Sequence, residues 1–302
     1  MLSERVIIIG NGFDLDLGLK TSFKDFFNSD DSPFDKSTTS ESPLAHFINK
    51  QVNINSWYDL ENIIHSYADK DNNQTLRTSS KKFISAKQAF IADIKFFNKL
   101  KKSLENYINA QLKSPINKKS CAAIVLENLI KYAFNDTYLT FNYTDLNIFA
   151  QQICNKTIEF DYVHGACNTS SSIIGISDSY KVKDNYEFLY KTSSPNYKSV
   201  NVRYALQRAK EIIFFGHSLG KQDYHYFQDF FKKQCRDDMQ EDDLCKITFF
   251  TKDEDARLKL LSQLRAMNDG RINYLYDCNK LQFITTSEYN QDLLQFINDD
   301  SI

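Results

Sequence analysis

The sequence lacks any apolar run long enough to cross a membrane. No stretch approaches the roughly eighteen uninterrupted apolar residues that a transmembrane helix needs, and even Ile7–Ile9 is followed at once by Gly-Asn-Gly. The first residues, Met1–Arg5, also lack the charged region, apolar segment and cleavage site of a secretory signal. We therefore expect a cytoplasmic protein with no membrane partner.

The sequence also lacks a charge excess and a zinc-binding cysteine pattern. Lys and Arg number 37 against 39 Asp and Glu, so the net charge of -2 gives no whole-chain attraction to DNA, RNA or anionic lipid. The six cysteines are scattered, without a C-x-x-C pair or a Cys–His spacing suited to zinc. We therefore expect reduced thiols, no bound metal and no nucleic-acid partner.

Apolar and aromatic residues are plentiful. The chain of 302 residues is 42% hydrophobic and 25% charged, which is enough for one large core or two modest ones and excludes a disordered protein. Its 24 Phe and 17 Tyr are interpreted mostly as packing side chains, since aromatic content alone says nothing about ligands.

Strand-like and helix-like patterns alternate along the chain. Residues 5–9, R-V-I-I-I, form a short β-branched run that ends at Gly10, as is typical of a central parallel strand buried on both faces. Similar runs predict strands at Tyr138–Tyr143, Ile158–Val163, Ile173–Ile176, Ile212–Phe215, Ile247–Phe250 and Ile272–Tyr276. Helical spacing predicts helices through Trp57–Ile64 and over Phe83–Ala110, Cys121–Phe134, Val200–Lys210, Tyr224–Cys235 and Asp253–Met267.

This alternation predicts an α/β fold with a Rossmann-like, doubly wound parallel sheet. The helical block between the first two strands predicts a mainly helical insertion at residues 43–136. We expect one Rossmann-like α/β domain over residues 1–302, with no internal repeat.

The turn after the first strand has the context of a phosphate-binding turn. Gly10 allows a tight turn, Gly12 lets backbone N–H groups approach a pyrophosphate, and the following helix N-terminus favours an anion. The third glycine of a dehydrogenase motif would stand at Leu15, which disfavours hydride transfer. A glycine turn needed only for backbone geometry remains the alternative. The predicted nucleotide contacts here are Gly10, Asn11, Gly12, Phe13 and Asp14.

Two polar residues follow later strands. Asn142, in T-F-N-Y-T-D, offers a donor and an acceptor at the ligand-facing edge of the sheet, although an Asx turn or helix cap is the plainer interpretation. His164, in Y-V-H-G, has a side-chain pKa suited to proton transfer near neutrality, although a structural histidine is the plainer interpretation there. These two are the predicted catalytic residues.

A glycine-bearing loop follows the strand at Ile212–Phe215. This loop, Gly216–Gly220, is followed by Asp223 and is suited to a ribose or phosphate, with Gly216, Ser218 and Asp223 as the predicted contacts. It matches the bare G-x-S-x-G pattern, but a serine hydrolase needs an acid and then a histidine downstream, and only His225 follows.

Two carboxylates flank Leu60 in W-Y-D-L-E. Asp59 and Glu61 stand two residues apart and so do not share a helix face. We expect only one of them to point into any cleft, and a solvated charge is the plainer interpretation for either.

The ordered set G-N-G-F-D, W-Y-D-L-E, F-N-Y-T-D, H-G and F-F-G-H-S-L-G-K-Q-D resembles the bacterial abortive-infection AbiH family of anti-phage proteins, from Ile7 to Asp223. The string is also similar to a remote sirtuin-like NAD-binding pattern. Gly10, Gly12 and Gly18 match its glycines, and the other matches are Asn142, His164, Gly216 and Ser218. Asp14 stands where serine is usual and the zinc cysteines of deacylating sirtuins are absent, so the resemblance does not imply deacylation.

The resemblance implies an NAD+ glycohydrolase, with NAD as substrate, that cleaves the nicotinamide–ribose bond on phage infection. Asn142 would orient the attacking water or a ribose hydroxyl, and His164 would accept a proton. Asp14 or Asp223 would bind a hydroxyl, and we expect Gly12, Asn142, His164 and Ser218 to line one cleft.

Two other functions remain open. One is a nucleotide-sensing module that binds without turnover and acts through a partner; the other is a metal-dependent nuclease using Asp14, Asp59 and Glu61. A nucleotide is the expected ligand, and a homo-oligomer or a phage-derived trigger is the partner to consider.

Overall fold

The computed structural model describes residues 5–54, 59–70, 85–132, 136–236, 238–239, 244–287 and 290–299. The predicted helical residues Trp57, Phe83 and Phe134 lie outside the described residues. The chain divides into two compact units. We call Met1–Leu19, Ser114–Val163 and Lys198–Ile302 the sheet unit, and Lys20–Lys113 with His164–Tyr197 the helical unit.

The sheet unit contains six parallel strands within the described residues. They are β1 (Arg5–Ile9), β2 (Thr137–Thr140), β3 (Phe160–Tyr162), β4 (Glu211–Phe215), β5 (Lys246–Thr251) and β6 (Lys280–Thr285). Their order is β3-β2-β1-β4-β5-β6, so the chain builds outward from β1 first on one side and then on the other. This is the strand order of a Rossmann sheet, and the predicted fold class is confirmed.

Helices make up most of the remaining regular structure. In the described residues they are α1 (Asn11–Asp16), α2 (Phe23–Phe27), α3 (Lys36–Glu41), α4 (Pro43–Ile54), α5 (Leu60–Ala68), α6 (Ala86–Gln111), α7 (Cys121–Lys131), α8 (Leu146–Cys154), α9 (Val202–Arg208), α10 (Tyr224–Lys233), α11 (Glu254–Met267), α12 (Ile272–Asp277) and α13 (Gln291–Asp299). Helices α2–α6 belong to the helical unit and the others to the sheet unit. None of the helices in the described part of the chain is both long and apolar enough to cross a membrane.

The central strands are buried on both faces, which explains their unbroken apolar runs. All of β1 after Arg5 is buried, and so is all of β4 after Glu211. An aromatic ladder crosses the sheet, because Phe249 stacks on Phe214 with ring centroids 4.6 Å apart and on Phe283 at 5.3 Å. Stacked aromatic side chains of this kind bury a large apolar area and reinforce the strand register.

Two strand predictions are wrong. Ile173–Ile176 forms no strand: it lies in the helical unit, where Ile176 makes an isolated bridge to Tyr190 and the N–H of Ile173 donates to the His164 carbonyl. Ile272–Tyr276 lies in α12, and the sixth strand is β6. Both runs are short, and a few apolar residues can pack in a loop or in one helical turn as well as in a strand, so their composition does not decide between these structures.

The helical insertion predicted at residues 43–136 stays a prediction. The predicted residues 43–136 overlap the helical unit, but α7 lies in the sheet unit and the later segment His164–Tyr197 joins the helical unit. The interpretation as one domain stays a prediction.

A buried carboxylate organises the helical unit. Asp93, on α6, has no exposed surface, and its Oδ1 accepts hydrogen bonds from the Ser42 hydroxyl (2.6 Å) and the Leu44 N–H (3.0 Å) at the start of α4. Its Oδ2 accepts from the hydroxyls of Tyr67 (2.6 Å) and Tyr186 (2.8 Å). One side chain therefore joins two further helices and the segment after residue 164 to α6.

Candidate functional site

The glycine turns after β1 and β4 are in direct backbone contact. The Gly10 N–H donates to the Phe215 carbonyl (2.9 Å), and the Gly12 N–H donates to the Gly216 carbonyl (3.0 Å). A Cβ added at Gly12 would lie 2.6 Å from Gly216 Cα, closer than real Cβ atoms approach. Glycine is therefore required on both turns because two backbones meet here, at the point where the strand order reverses.

Some backbone N–H groups of the predicted phosphate-binding turn already donate hydrogen bonds within the protein. The N–H of Gly12 donates to protein, as does that of Phe13, which donates to the Gly10 carbonyl (2.9 Å). The Phe13 ring is buried, edge-on to Phe215 with centroids 5.3 Å apart. Asn11 and Ser218, by contrast, are exposed. These contacts favour the geometric interpretation of the glycines, and nucleotide contacts by this turn stay a prediction.

We expect Gly216→Ala to destabilise the protein by about 3 kcal/mol. Gly216 has φ +64°, and an added Cβ would lie 2.5 Å from the backbone of Gly12 and of Phe13, so backbone strain and overlap add. Gly270→Ala is the matched control, because Gly270 has φ +84° with nothing within 4 Å, and we expect a loss of about 1 kcal/mol there. Denaturant unfolding measures both losses, and equal losses would contradict a contact that depends on glycine.

Asp14 links the first glycine turn to the loop after β2. Asp14 is 1% exposed, its Oδ1 accepts from Asn142 Nδ2 (2.9 Å) and its Oδ2 accepts from Thr144 Oγ1 (2.8 Å). The Asn142 N–H in turn donates to Thr140 Oγ1 (3.1 Å). We call Asp14, Asn142 and Thr144 the strand-end triad, because it joins α1 to the residues that follow β2.

One polar atom of the strand-end triad has no protein partner. Asn142 is 3% exposed, and within the described residues its Oδ1 is buried without a hydrogen bond. An unmade bond at a buried acceptor costs about 1–3 kcal/mol, so such an atom is a candidate ligand contact. The carbonyl oxygen of Asn142 can accept a hydrogen bond from a hydroxyl or a water.

Asp14 should make the stability of the protein depend on pH. Burial raises the pKa of Asp14 from 3.8 to about 7, against the lowering effect of its hydrogen bonds from Thr144 and Asn142. The folded state therefore holds a proton that the unfolded state has released, and stability falls as pH rises from about 4 to about 7. Between about pH 5 and pH 8 we expect this group to cost about 3 kcal/mol.

The measurement compares denaturant unfolding at those two pH values in the wild type and in Asp14→Asn. The variant carries no titratable proton at this position, so we expect its stability to fall by about 3 kcal/mol less than that of the wild type. Asp255→Asn, which removes an exposed carboxylate of α11, controls for the change in net charge. Parallel pH dependences in wild type and Asp14→Asn would show that Asp14 does not retain a proton in the fold.

A second polar pair follows β4. His217 is buried, its Nδ1 accepts from the Leu219 N–H (3.1 Å), and its Nε2 lies 3.7 Å from Asp223 Oδ2. A ring nitrogen that accepts from a backbone N–H carries no proton, so the proton of neutral His217 lies on Nε2. The ring also packs edge-on against Phe141, with centroids 4.4 Å apart. Asp223 is thus placed beside an imidazole N–H donor of the same unit.

His164 belongs to the helical unit and contacts a buried ion pair there. Lys191 Nζ lies 2.9 Å from Glu61 Oε2 and 3.3 Å from His164 Nε2, and both Lys191 and His164 are buried. An ammonium only donates hydrogen bonds, so His164 Nε2 is the acceptor in this contact.

The predicted residues therefore fall into separate groups. The structure joins Gly10 and Gly12 to the Gly216 turn, and Asp14 to Asn142, all in the sheet unit. His164 is in the helical unit, so the prediction of one cleft for all of them stays a prediction. Thr144, His217 and Lys191 were missed. Thr144 and His217 stood inside the recognised motifs, whereas nothing in the sequence around Lys191 marks it.

The three carboxylates predicted for a metal-dependent nuclease each make a separate contact within the protein. Asp59 is the N-cap of α5 and accepts from the Asn62 N–H (3.1 Å), Glu61 forms the ion pair with Lys191, and Asp14 belongs to the strand-end triad. Across the described ranges no group of three His, Cys, Asp or Glu side chains is arranged to hold a metal ion.

Comparison with known protein families gives a match over most of the chain. The family model described as bacteriophage abortive infection AbiH matches residues 6–240, which include β1, the strand-end triad, His164 and the β4 turn. No curated protein matches the chain. Since the match covers well over half of the sequence, the chain belongs to the bacteriophage abortive infection AbiH family.

Proposed function

We propose that this AbiH protein acts in abortive infection by hydrolysing the nicotinamide–ribose bond of NAD+. Membership of the family places the protein in anti-phage abortive infection, and the bond cleaved is our proposal. The observation that carries it is the buried Asn142 Oδ1, which has no hydrogen-bond partner in the described structure and lies just after β2. Ligands of Rossmann sheets bind at this edge, beyond the carboxyl ends of the strands.

Hydrolysis of the nicotinamide–ribose bond requires few catalytic groups from the protein. The bond between ribose C1′ and the nicotinamide nitrogen breaks, its electron pair leaves with nicotinamide, and the ribose gains oxocarbenium character. A water then bonds to C1′ and releases a proton, so the products are ADP-ribose, nicotinamide and a proton. A fixed acceptor that orients this water or a ribose hydroxyl is the contribution assigned to Asn142.

The proton acceptor predicted from the sequence is His164. Its Nε2 accepts from Lys191, so taking up a proton there requires the ammonium to withdraw first. The role of His164 therefore stays a prediction.

We expect Asn142→Ala to suppress NAD+ loss in phage-infected cells by more than about tenfold, because the oriented acceptor is lost. NAD+, ADP-ribose and nicotinamide are measured by mass spectrometry after infection of cells that carry the wild-type or variant gene. Asn128→Ala is the matched control. Asn128 is also a buried amide whose Oδ1 has no hydrogen-bond partner among the described residues, but it lies within α7 and not at a strand end.

Two outcomes would count against the proposal. NAD+ that stays constant while the wild-type protein protects cells would exclude the hydrolase, and NAD+ loss that persists in a folded Asn142→Ala protein would exclude this role for Asn142. Thermal melting of each variant separates lost function from lost fold.

The contacts of Gly12 and His164 favour a second candidate, a nucleotide-sensing module without turnover. Both groups are already hydrogen-bonded within the protein, Gly12 to Gly216 and His164 to Lys191, which suits a rigid binding surface better than a reacting one. A purified wild-type protein that binds NAD+ by calorimetry but releases no nicotinamide, with or without phage lysate, would favour the sensor.

A further inference from the structure

The orientation of the Asn142 amide is set by its contact with Asp14. A carboxylate oxygen accepts hydrogen bonds, so the Asn142 atom at 2.9 Å from Asp14 Oδ1 is the amide nitrogen. The Asn142 oxygen is then the atom left without a partner among the described residues. With the opposite amide orientation, the side-chain oxygens of Asn142 and Asp14 would face each other as two acceptors. The buried NH2 group of Asn142 would then be the group without a hydrogen-bond partner.

Thr144 makes this orientation hold in both protonation states of Asp14. The Thr144 hydroxyl lies 2.8 Å from Asp14 Oδ2 and, unlike the Asn142 NH2 group, it can donate or accept. When Asp14 carries a proton, that proton is accommodated on Oδ2, facing Thr144. Oδ1 remains an acceptor for Asn142 Nδ2, so the amide does not need to turn.

Within the described residues, the side-chain hydrogen bonds of Asp14 are those from Asn142 and Thr144. Asp14 is 1% exposed and both of its oxygens accept from side chains of the loop after β2. A ribose hydroxyl that reached Asp14 would have to displace Asn142 or Thr144. The acceptor that the strand-end triad leaves for a ligand is therefore Asn142 Oδ1.

From this geometry we infer that Asp14 is a positioning residue, which orients Asn142 so that its side-chain oxygen accepts a hydrogen bond from a ribose hydroxyl of the bound nucleotide. The inference rests on the proposed function in taking a nucleotide as ligand, and it deepens that function by assigning the type of contact. It assigns Asp14 no contact with the nucleotide. A site built around an acceptor discriminates strongly against an analogue that lacks the donor, because the acceptor is then left unpaired.

The binding experiment uses NAD+ and an analogue in which fluorine replaces the 2′-hydroxyl of the nicotinamide ribose, with affinities measured by calorimetry. We expect the wild type to bind the fluorinated analogue at least about tenfold more weakly than NAD+. In Asp14→Asn the carboxylate no longer fixes the orientation of the Asn142 amide. We therefore expect the affinities of this variant for NAD+ and for the analogue to lie within about threefold of each other.

Two further variants separate positioning from a general loss of structure. The exchange Asp14→Asn/Asn142→Asp restores one donor facing one acceptor and leaves a carboxylate oxygen towards the ligand, so we expect discrimination to return. Thr144→Val removes the other bond to Asp14, but an ionised Asp14 still accepts from the Asn142 NH2 group. At a pH well above the pKa of Asp14 we therefore expect lower stability with discrimination retained. Two results would overturn the inference. One is that Thr144→Val loses discrimination between NAD+ and the fluorinated analogue as completely as Asp14→Asn does. The other is that a folded Asp14→Asn protein discriminates between them as well as the wild type.

A ligand-free measurement keeps the inference testable if NAD+ does not bind. In 15N-labelled protein the Asn142 side-chain NH2 resonance is identified by its disappearance in Asn142→Ala. We expect slow hydrogen exchange of this group in the wild type and in Thr144→Val, and exchange at least about tenfold faster in Asp14→Asn. Equal exchange in wild type and Asp14→Asn would overturn the inference. If the Asn142 NH2 group exchanges slowly but the protein does not bind NAD+, Asp14 still positions Asn142 and the proposed substrate is wrong.

Discussion

Replacing Asp93 with alanine is expected to lower the stability of the helical unit by about 4 kcal/mol. The substitution leaves the hydroxyls of Tyr67, Tyr186 and Ser42 and the N–H of Leu44 without the acceptor they share in a fully buried place. Each buried donor that loses its acceptor costs about 1–3 kcal/mol, although relaxation lets some of them find new partners.

Denaturant unfolding followed by tyrosine fluorescence measures this loss. Asp93→Asn is the matched variant, because it keeps the shape and one acceptor oxygen while its NH2 group faces donors, and we expect about half the loss. Tyr186→Phe removes a single donor and should cost about 1–2 kcal/mol. A loss below about 1 kcal/mol in Asp93→Ala would mean that the four bonds do not hold the helices together.

Replacing Lys191 with methionine is expected to cost about 3 kcal/mol. The ammonium pairs with Glu61, and the side chains of the pair are 4% and 13% exposed. Removing one partner of a buried pair is strongly destabilising, because the other charge stays buried without it. The variant also removes the donor to His164 Nε2.

An exposed pair of the same length provides the control for Lys191. Lys99 Nζ also lies 2.9 Å from a carboxylate oxygen, that of Asp35, but these side chains are 47% and 53% exposed. We expect Lys99→Met to cost under about 1 kcal/mol, because water screens the pair. The double variant Glu61→Gln/Lys191→Met should recover part of the loss, since no charge is then left buried. Equal losses for Lys191→Met and Lys99→Met would contradict the role of burial.

The sheet could be predicted from sequence because its central strands are buried on both faces. β1 and β4 therefore appear as unbroken apolar runs that end in glycine, a pattern that solvent-exposed segments do not share. Ile173–Ile176 and Ile272–Tyr276 have similar composition, but their structure depends on packing partners from elsewhere in the chain. For β6, which is only partly buried, the apolar signal is weaker, and it was missed.

The candidate site could be predicted only in outline. The motifs located Gly12, Asn142 and the β4 turn correctly at strand ends, because glycines and polar residues after buried runs mark that edge. That the Gly12 N–H would donate to Gly216, distant in sequence, follows only from strand order. The burial of Asp14 and Lys191 likewise depends on tertiary packing, since isolated charged residues are usually solvated.

The position of β1 between β2 and β4 has a consequence for how the chain folds during synthesis. β1 ends at residue 9, whereas β2 begins at residue 137 and β4 at residue 211. At about 5–20 residues per second, β4 is synthesised on the order of tens of seconds after β1, so β1 lacks its second neighbour for that time. Until then its two edges can pair with other chains, so a newly made molecule should depend on chaperones to protect this segment.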